Sequence, residues 1–176
     1  RIVMYRKSDG TSPVQEFIAS LDDKMQAKVI RAIDMLEQRG SQLRVPISKE
    51  LDEGIFERRI SLAGNATRIL YFFVIGNMAV LTNGFIKKTM KTPRYEIERA
   101  KWYRAEYLKG GNYMQAGVDW MEFREELLKN PKVKREYDAL EDWYREELAR
   151  QRAADAVQGT SVPPTAKTSA APAACL

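Results

Sequence analysis

Residues 54–88 read GIFERRISLAGNATRILYFFVIGNMAVLTNGFIKK. Three runs rich in β-branched and aromatic residues, at 54–62, 67–75 and 78–87, are separated by Gly-Asn pairs at 64–65 and 76–77. Gly-Asn pairs favour tight turns between antiparallel strands, so this stretch predicts a three-stranded meander. The middle run is apolar on both faces except for Arg68, and a charge in so apolar a strand is costly unless it is paired or used.

Short elements are predicted on both sides of the meander. A strand at 2–6 and a helix that opens at Ser12-Pro13 come first, and a second helix runs from an Asp22 cap to about Arg39, where Gly40 ends it. Thr92-Pro93 is predicted to cap a third helix over about 94–108. The pattern predicts an α+β domain: an antiparallel sheet with two N-terminal helices and one C-terminal helix. The buried face of the second helix is expected to carry residues spaced by three and four, namely Met25, Val29, Ala32, Ile33 and Leu36.

The 176 residues divide into three parts. Residues 1–110 form the predicted α+β domain, 111–157 a helical region interrupted at Asn130-Pro131, and 158–176 a tail rich in Pro, Ala, Ser and Thr that is expected to be disordered. Residues 1–110 contain 20 Lys and Arg against 13 Asp and Glu, a net +7, whereas 111–176 contain 9 against 11, a net −2. A basic front and an acidic rear indicate a polyanion-binding domain joined to a segment that could cover it.

The composition excludes several kinds of site. The chain has no His and a single Cys, Cys175, so it has no Ser-His-Asp triad, no His-ligated zinc, no multi-Cys metal site and no intramolecular disulfide. No metal and no cofactor are therefore expected. The longest apolar run, at 69–75, is far shorter than the ~20 residues of a spanning helix. With no leader segment either, a cytoplasmic protein without membrane association is expected.

A cluster of fixed cations on or beside the predicted strands is the remaining candidate for chemistry, with Glu57 among them: Lys49, Arg59, Arg68, Lys87 and Lys88. Cleavage of RNA needs a base for the 2′-hydroxyl, an acid for the 5′-oxygen and cations around the phosphate. Arginine offers paired donors to phosphate oxygens, and a lysine crowded by cations has a lowered pKa and can act as a base. The cluster therefore fits metal-free phosphodiester cleavage. It also fits a basic sheet edge with a structural Arg68–Glu57 ion pair, and the spacing alone slightly favours this second interpretation.

The order of several motifs resembles a known family of toxins. These are SPVQEF at 12–17, KEL at 49–51, GIFERRI at 54–60, TRILYF at 67–72, GFIKKT at 84–89, KTP at 91–93 and EIERA at 96–100. Together they make residues 1–108 similar to the phage-derived HigB branch of the RelE superfamily. The resemblance implies a microbial-RNase-like α+β fold. It also implies a type II toxin–antitoxin toxin that cleaves messenger RNA on the translating ribosome, without a metal, and so arrests growth.

The same resemblance implies roles for individual residues. Arg59 and Arg68 are expected to hold the scissile phosphate, and Lys49 to be a basic catalytic residue. Glu57 would act as a base or orient an arginine. Lys87 and Lys88 lie in the motif that closes the active face, and the predicted RNA-binding residues follow on or near the third helix: Lys91, Arg94, Arg99, Lys101 and Arg104.

Two features qualify the expected activity. Asn83 stands where relatives often carry His. Loss of that His would weaken the acid–base chemistry or shift it to other residues. Residues 119–141 are similar to the N-terminal helices of HigA-type antitoxins, and this implies neutralisation by such an antitoxin in cis or in trans. The expected contact residues are Trp120, Phe123, Leu127, Leu128, Tyr137 and Leu140.

The same residues also allow interpretations other than a catalytically competent toxin that is neutralised by an antitoxin. The rear helices could be an ordinary amphipathic pair packed on the domain, or could be exchanged between two copies in a dimer. The protein could accordingly be a ribonuclease, a catalytically silent toxin–antitoxin fusion with a regulatory role, or an RNA- or ribosome-binding module.

Overall fold

The computed structural model describes residues 1–110 and 117–159. The strands are β1 (Ile2–Met4), β2 (Ser48–Asp52), β3 (Ile55–Leu62), β4 (Asn65–Val74), β5 (Met78–Ile86) and β6 (Val118–Asp119). The helices are α1 (Pro13–Ala19), α2 (Asp23–Arg39), α3 (Arg94–Lys109), α4 (Trp120–Leu128), α5 (Pro131–Ala139) and α6 (Glu141–Gly159). The α+β class is confirmed.

One mixed sheet has the strand order β2-β3-β4-β5-β1-β6. The meander predicted from 54–88 forms β3, β4 and β5, which pair antiparallel, and β1 pairs with β5 in parallel. Two strands were not predicted. β2 was missed because its sequence, Ser-Lys-Glu-Leu-Asp, is mostly polar and lacks an alternating apolar pattern. β6 was missed because it has only two residues.

The two faces of the sheet are covered by different helices. Along β4, Ile69 and Tyr71 join a core with α1 and α2, whereas Leu70 and Phe72 join a second core with α3. This alternation is the period-2 geometry of a strand buried on both sides. It explains why the middle run of the meander, apart from Arg68, is apolar on both faces.

Helix α2 begins and ends where its capping residues predict. The Asp22 carboxylate accepts a hydrogen bond from the Met25 amide at 2.9 Å, and Gly40, with φ at +51°, follows the last turn. The burial of α2 is wider than predicted. Besides the five residues expected on its inner face, Ala27 and Ile30 are fully buried, because the rear helices pack on the other side of α2.

The rear region contains three helices rather than two. Asn130 caps α5 by accepting from the Lys132 amide at 3.0 Å, as its Asn-Pro sequence predicts, and a further break at Leu140 separates α5 from α6. The predicted contact residues all pack in the α2-side core. Trp120 and Phe123 are buried there, and the others are partly buried against it, namely Leu127, Leu128, Tyr137 and Leu140.

Polar contacts also hold the rear helices to α2. The Arg124 guanidinium donates to both carboxylate oxygens of Asp34, at 2.8 and 3.0 Å, and the Tyr137 hydroxyl donates to Asp34 at 2.8 Å. Arg31, also on α2, donates to the Tyr137 carbonyl at 2.9 Å and pairs with Glu141 at 2.7 Å. The α2–rear interface is therefore a mixture of apolar packing and charge-assisted hydrogen bonds.

Helix α6 extends to Gly159, two residues beyond the predicted end of the helical region. The rest of the predicted tail, from residue 160, lies outside the described residues, as do residues 111–116 of the break between front and rear. No helix in the described ranges combines the length and the apolar character needed to cross a lipid bilayer.

Candidate active site

Strand pairing brings the predicted site residues together on the face of the sheet that α3 covers. Lys49 of β2 lies opposite Glu57 of β3, and Arg59 of β3 lies opposite Arg68 of β4. Helix α3 leaves this end of the face open, and a cleft of about 300 Å³ forms beside the helix N-terminus. It is lined by Lys49, Leu51, Glu57, Arg59, Lys87, Met90, Lys91, Thr92 and Ile97.

Glu57 is the centre of a hydrogen-bond network in the cleft. Its side chain is only 1% exposed, and it accepts from Arg59 Nε at 2.7 Å and from Thr92 Oγ1 at 2.6 Å. Burial alone would raise the pKa of Glu57. The hydrogen bonds from Thr92 and Arg59 and the charges of Arg59 and Arg68 outweigh burial, so its pKa lies below the ordinary value. Glu57 is therefore an ionised carboxylate that orients the arginines.

The two arginines differ in exposure. Arg68 is nearly buried, donates from Nη1 to the Thr67 carbonyl at 2.9 Å, and has Nε 3.7 Å from Glu57 Oε2. Burial is the main cause that lowers the pKa of Arg68, with Glu57 acting in the opposite direction. Arg59 remains partly exposed at the mouth of the cleft. Glu57 thus pairs with both, at hydrogen-bonding distance only with Arg59.

Thr92 belongs to the site, although the sequence predicted a different role for it. It was expected to cap α3, but the position before that helix is Pro93, and no side-chain capping bond forms there. The Thr92 hydroxyl instead donates a hydrogen bond to the Glu57 carboxylate on β3. It thereby ties the 87–93 loop, with its three lysines, to β3. The Lys-Thr-Pro motif was the sequence signal that could have identified it.

Three of the predicted lysines, Lys49, Lys87 and Lys91, line the cleft, whereas Lys88 is exposed beside it. Within residues 1–110 and 117–159, none of these four forms an ion pair. The cleft therefore combines one buried carboxylate with Arg59 and three lysines that have no ion-pair partner among the described residues, an arrangement suited to a polyanion. Arg68 does not line the cleft and lies buried beside it.

The remaining predicted RNA-binding residues, on α3, are engaged elsewhere. Arg94 and Lys101 both pair with Asp52, at 3.0 and 2.8 Å, and Lys101 also pairs with Glu53 at 3.2 Å. Arg104 donates to the Glu53 carbonyl. On another side of the helix, Arg99 pairs with Glu96 at 3.2 Å. The β2–β3 turn thus supplies acids that neutralise much of the α3 charge, and the structure does not bring these four cations into the cleft.

Asn83, which replaces the expected His, is buried and does not line the cleft. Its Nδ2 donates to Glu96 Oε2 at 2.8 Å, and its Oδ1 accepts from the Thr82 hydroxyl at 2.8 Å. Asn83 therefore links β5 to the first turn of α3 and supports the wall of the site.

The rear helices pack on the opposite side of the sheet from the cleft. No residue of 117–159 lines it. Helices α5 and α6 contact α2, and α4 contacts β1. The arrangement gives no support to neutralisation in cis by direct coverage of the cleft. Among the described side chains, no group of three or more Cys, Asp or Glu converges in a way that could hold a metal ion.

Comparison with known proteins identifies the family to which the chain belongs. No curated protein matches the chain. The family model of the phage-derived Gp49-like proteins (DUF891) matches residues 16–104, a range that includes β2 to β5, most of α3 and every residue that lines the cleft. The chain therefore belongs to the phage-derived Gp49-like protein family.

Proposed function

We propose that this protein is the toxin of a type II toxin–antitoxin system, an endoribonuclease that cleaves messenger RNA on the ribosome. One observation carries the proposal: Arg59 and Arg68 lie opposite each other around the buried Glu57 carboxylate, beside three unpaired lysines. Membership of the phage-derived Gp49-like family fits a toxin–antitoxin role.

The arginines are suited to hold the scissile phosphate. Arg59 uses Nε to bind Glu57, which leaves the other guanidinium nitrogens at the partly exposed mouth of the cleft. Arg68 adds a second guanidinium from the neighbouring strand. Such fixed donors stabilise the negative charge that builds on the phosphate oxygens in the transition state. Lys91 would bind the RNA backbone next to the scissile phosphate.

In this mechanism the lysines of the cleft transfer the protons. Glu57 is a weak base because its pKa is lowered, and both of its carboxylate oxygens already accept hydrogen bonds. The amine of Lys49 or Lys87 is the proposed base and takes the proton of the 2′-hydroxyl while the 2′-oxygen bonds to phosphorus. The bond from phosphorus to the 5′-oxygen breaks, and the other lysine, as ammonium, protonates that oxygen. The products are a 2′,3′-cyclic phosphate and a 5′-hydroxyl end.

The test uses the full chain, induced in bacteria and purified for cleavage assays on free messenger RNA and on ribosomes programmed with it. The wild type is expected to arrest growth and to give the cyclic-phosphate ends, chiefly on ribosomes. Arg59→Ala and Arg68→Ala are each expected to lower the cleavage rate by about 100-fold. The matched control is Arg145→Ala, at an exposed position of α6. Absence of new RNA ends with the folded wild type would reject the proposal.

A catalytically silent RNA- or ribosome-binding protein is the second candidate, and Asn83 is the observation that favours it. An Asn side chain does not titrate near neutral pH and cannot act as a general acid or base, so a site that relies on a titrating side chain at this position would be inactive here. Ribosome binding that depends on Arg68, without any cleavage, would establish this alternative. Since no rear residue among 117–159 lines the cleft, we propose that the neutralising HigA-like antitoxin acts in trans.

A further inference from the structure

Arg58 and Arg59 are neighbours on β3 but point to opposite faces of the sheet. Arg59 enters the cleft, whereas Arg58 is 1% exposed on the α2 side. Arg58 donates to the carbonyls of Ala32 at 3.0 Å and Ile47 at 2.7 Å, both of which are neutral acceptors. Within the described chain it forms no ion pair. A full positive charge is therefore buried directly behind the strand that carries Glu57 and Arg59, where an uncompensated charge is costly.

A second buried cation lies close to the first. Lys28, one helical turn before Ala32 on α2, is 9% exposed, and its ammonium lies 3.0 Å from the ring centre of Trp143 on α6. It also forms no ion pair among the described residues. Burial lowers the pKa of Lys28 to about 8, and the charge of Arg58 adds to this, whereas Glu147 acts in the opposite direction.

Among the described residues, Glu147 of α6 is the one carboxylate that lines the cavity shared by these cations. The cavity has a volume of about 230 Å³ and is bounded by Lys28, Arg58, Trp143 and Glu147 together with the segments 46–47 and 59–61. Glu147 is 4% exposed. Its Oε2 pairs with the exposed Arg150 of the same helix, and its Oε1 accepts a hydrogen bond from Gln151 at 3.3 Å. A carboxylate so deeply buried also acts on the more distant charges of Lys28 and Arg58, because the medium between them screens charge weakly. It also raises the pKa of Arg58, in opposition to burial, which lowers that pKa to about 10.

We propose that Glu147 is a positioning residue, whose carboxylate supplies the counter-charge for Lys28 and Arg58 and so holds β3 in place behind the cleft. Helix α6 is then part of the support of the active site, and the rear segment assists the site instead of covering it. The effect on cleavage rests on the proposed function, whereas the electrostatic relationship does not.

The test compares Glu147→Gln with Glu146→Gln in the full chain, because Glu146 is the exposed neighbour on the same helix. NMR titration of the Lys28 side chain is the first readout. Glu147→Gln is expected to make Lys28 lose its proton at a lower pH, and Glu146→Gln to leave the titration unchanged. Glu147→Asp keeps the charge and is expected to restore most of the wild-type titration. An unchanged Lys28 titration in folded Glu147→Gln overturns the proposal.

The second readout is RNA cleavage. Glu147 does not touch the cleft, so Glu147→Gln is expected to lower kcat by about tenfold and leave KM unchanged. A changed Lys28 titration in a protein that never cleaves RNA rejects the proposed function alone. A changed titration with unaltered kcat in an active enzyme rejects the positioning role.

A double variant keeps the proposal testable if Glu147→Gln does not fold. Lys28→Met, Glu147→Gln removes Lys28, one of the two buried cations that the loss of Glu147 leaves without a counter-charge. It is then expected to recover the folded state. Failure of this rescue, with Lys28→Met folded on its own, also overturns the proposal.

Discussion

The Thr92 hydroxyl donates to Glu57 Oε2 at 2.6 Å, and it joins the lysine-bearing loop before α3 to the strand that carries Arg59. The bond spans 35 residues of sequence and joins the buried Glu57 side chain to the half-buried Thr92 side chain. It is one of the two hydrogen bonds that hold the Glu57 carboxylate in its orientation. The geometry of the cleft therefore depends on a threonine that cannot itself bind phosphate strongly.

Replacing Thr92 by Val removes this hydrogen bond with little change in side-chain volume. We expect Thr92→Val to lower the free energy of unfolding by about 1–3 kcal/mol, because a buried carboxylate oxygen loses its donor. RNA binding is expected to weaken as well. The control is Thr89→Val in the same loop, where the hydroxyl bond to the Lys91 carbonyl is exposed. Urea unfolding and RNA titration measure both effects, and equal losses in the two variants would contradict the assignment.

The depressed pKa of Glu57 predicts a dependence of stability on acid. The stabilisation from ionised Glu57 is complete above the pKa of an unfolded glutamate, 4.5, and is lost as the pH falls through the lower folded-state value. Glu57→Gln is expected to be less stable than the wild type at pH 7, and the difference should shrink below about pH 4. Urea unfolding between pH 3 and 7 measures it. Glu122→Gln, at an exposed position of α4, should show no such convergence.

The unequal pairing of the cations predicts different contributions to RNA binding. Lys91 is unpaired in the cleft, whereas Lys101 is held by Asp52 and Glu53. We expect Lys91→Ala to lower the slope of log Kd against log salt by about 0.7, the value for one phosphate contact on a single strand. Lys101→Ala is expected to leave the slope unchanged. A loss of slope in Lys101→Ala equal to that in Lys91→Ala would show that the α3 cations contact RNA.

The Asp34 network predicts that the rear helices contribute to global stability. Asp34→Asn leaves the partly buried Arg124 guanidinium without its paired carboxylate, and about 3 kcal/mol of unfolding free energy should be lost. Asp142→Asn is the matched control, because Asp142 is exposed on α6. Chemical unfolding followed by tryptophan fluorescence is suitable, since Trp120 lies beside Asp34. Equal midpoints for the two variants would mean that the network adds no stability.

Lys28 predicts a gain of stability with alkaline pH. Its folded-state pKa of about 8 lies below the 10.5 of an ordinary lysine, so between these values the unfolded chain binds more protons than the folded chain. Stability from this site therefore rises with pH across that window. Lys28→Met should lack the increment, whereas Lys24→Met, at an exposed position of α2, should retain it. Unfolding free energies measured from pH 7.5 to 10 test this, and a Lys28→Met curve parallel to the wild type would exclude it.

Local patterns were enough to predict the meander and the centre of the cleft. Alternation along residues 55–60 places Glu57 and Arg59 on one face and Arg58 on the other, and the apolar surroundings of Arg68 indicate that its charge is paired. These patterns made Glu57, Arg59 and Arg68 candidates, and the resemblance to the toxin family assigned their roles in the site. The structure places them together through strand register.

Contacts between distant segments were not predictable in the same way. The acid that pairs with Arg94 and Lys101 lies more than 40 residues earlier, at the β2–β3 turn. From the sequence alone, the cations of α3 were therefore interpreted as an unpaired basic surface. The position of the rear helices was also missed. Helix α2 carries Lys28, Arg31 and Asp34 on its outer side, a composition typical of a solvent-facing surface, and only their specific pairing with α4–α6 buries them.

The two residues of β6 have an effect beyond their length. They pair with Val3 and Met4 on the outer side of β1, which is otherwise an apolar edge strand with unpaired backbone groups. Such an edge is a template for pairing with other chains. The opposite edge, β2, is short and carries Lys49, Glu50 and Asp52, which discourage that pairing. By closing the β1 edge, the rear segment protects the protein against self-association through its sheet, a benefit independent of any role in RNA cleavage.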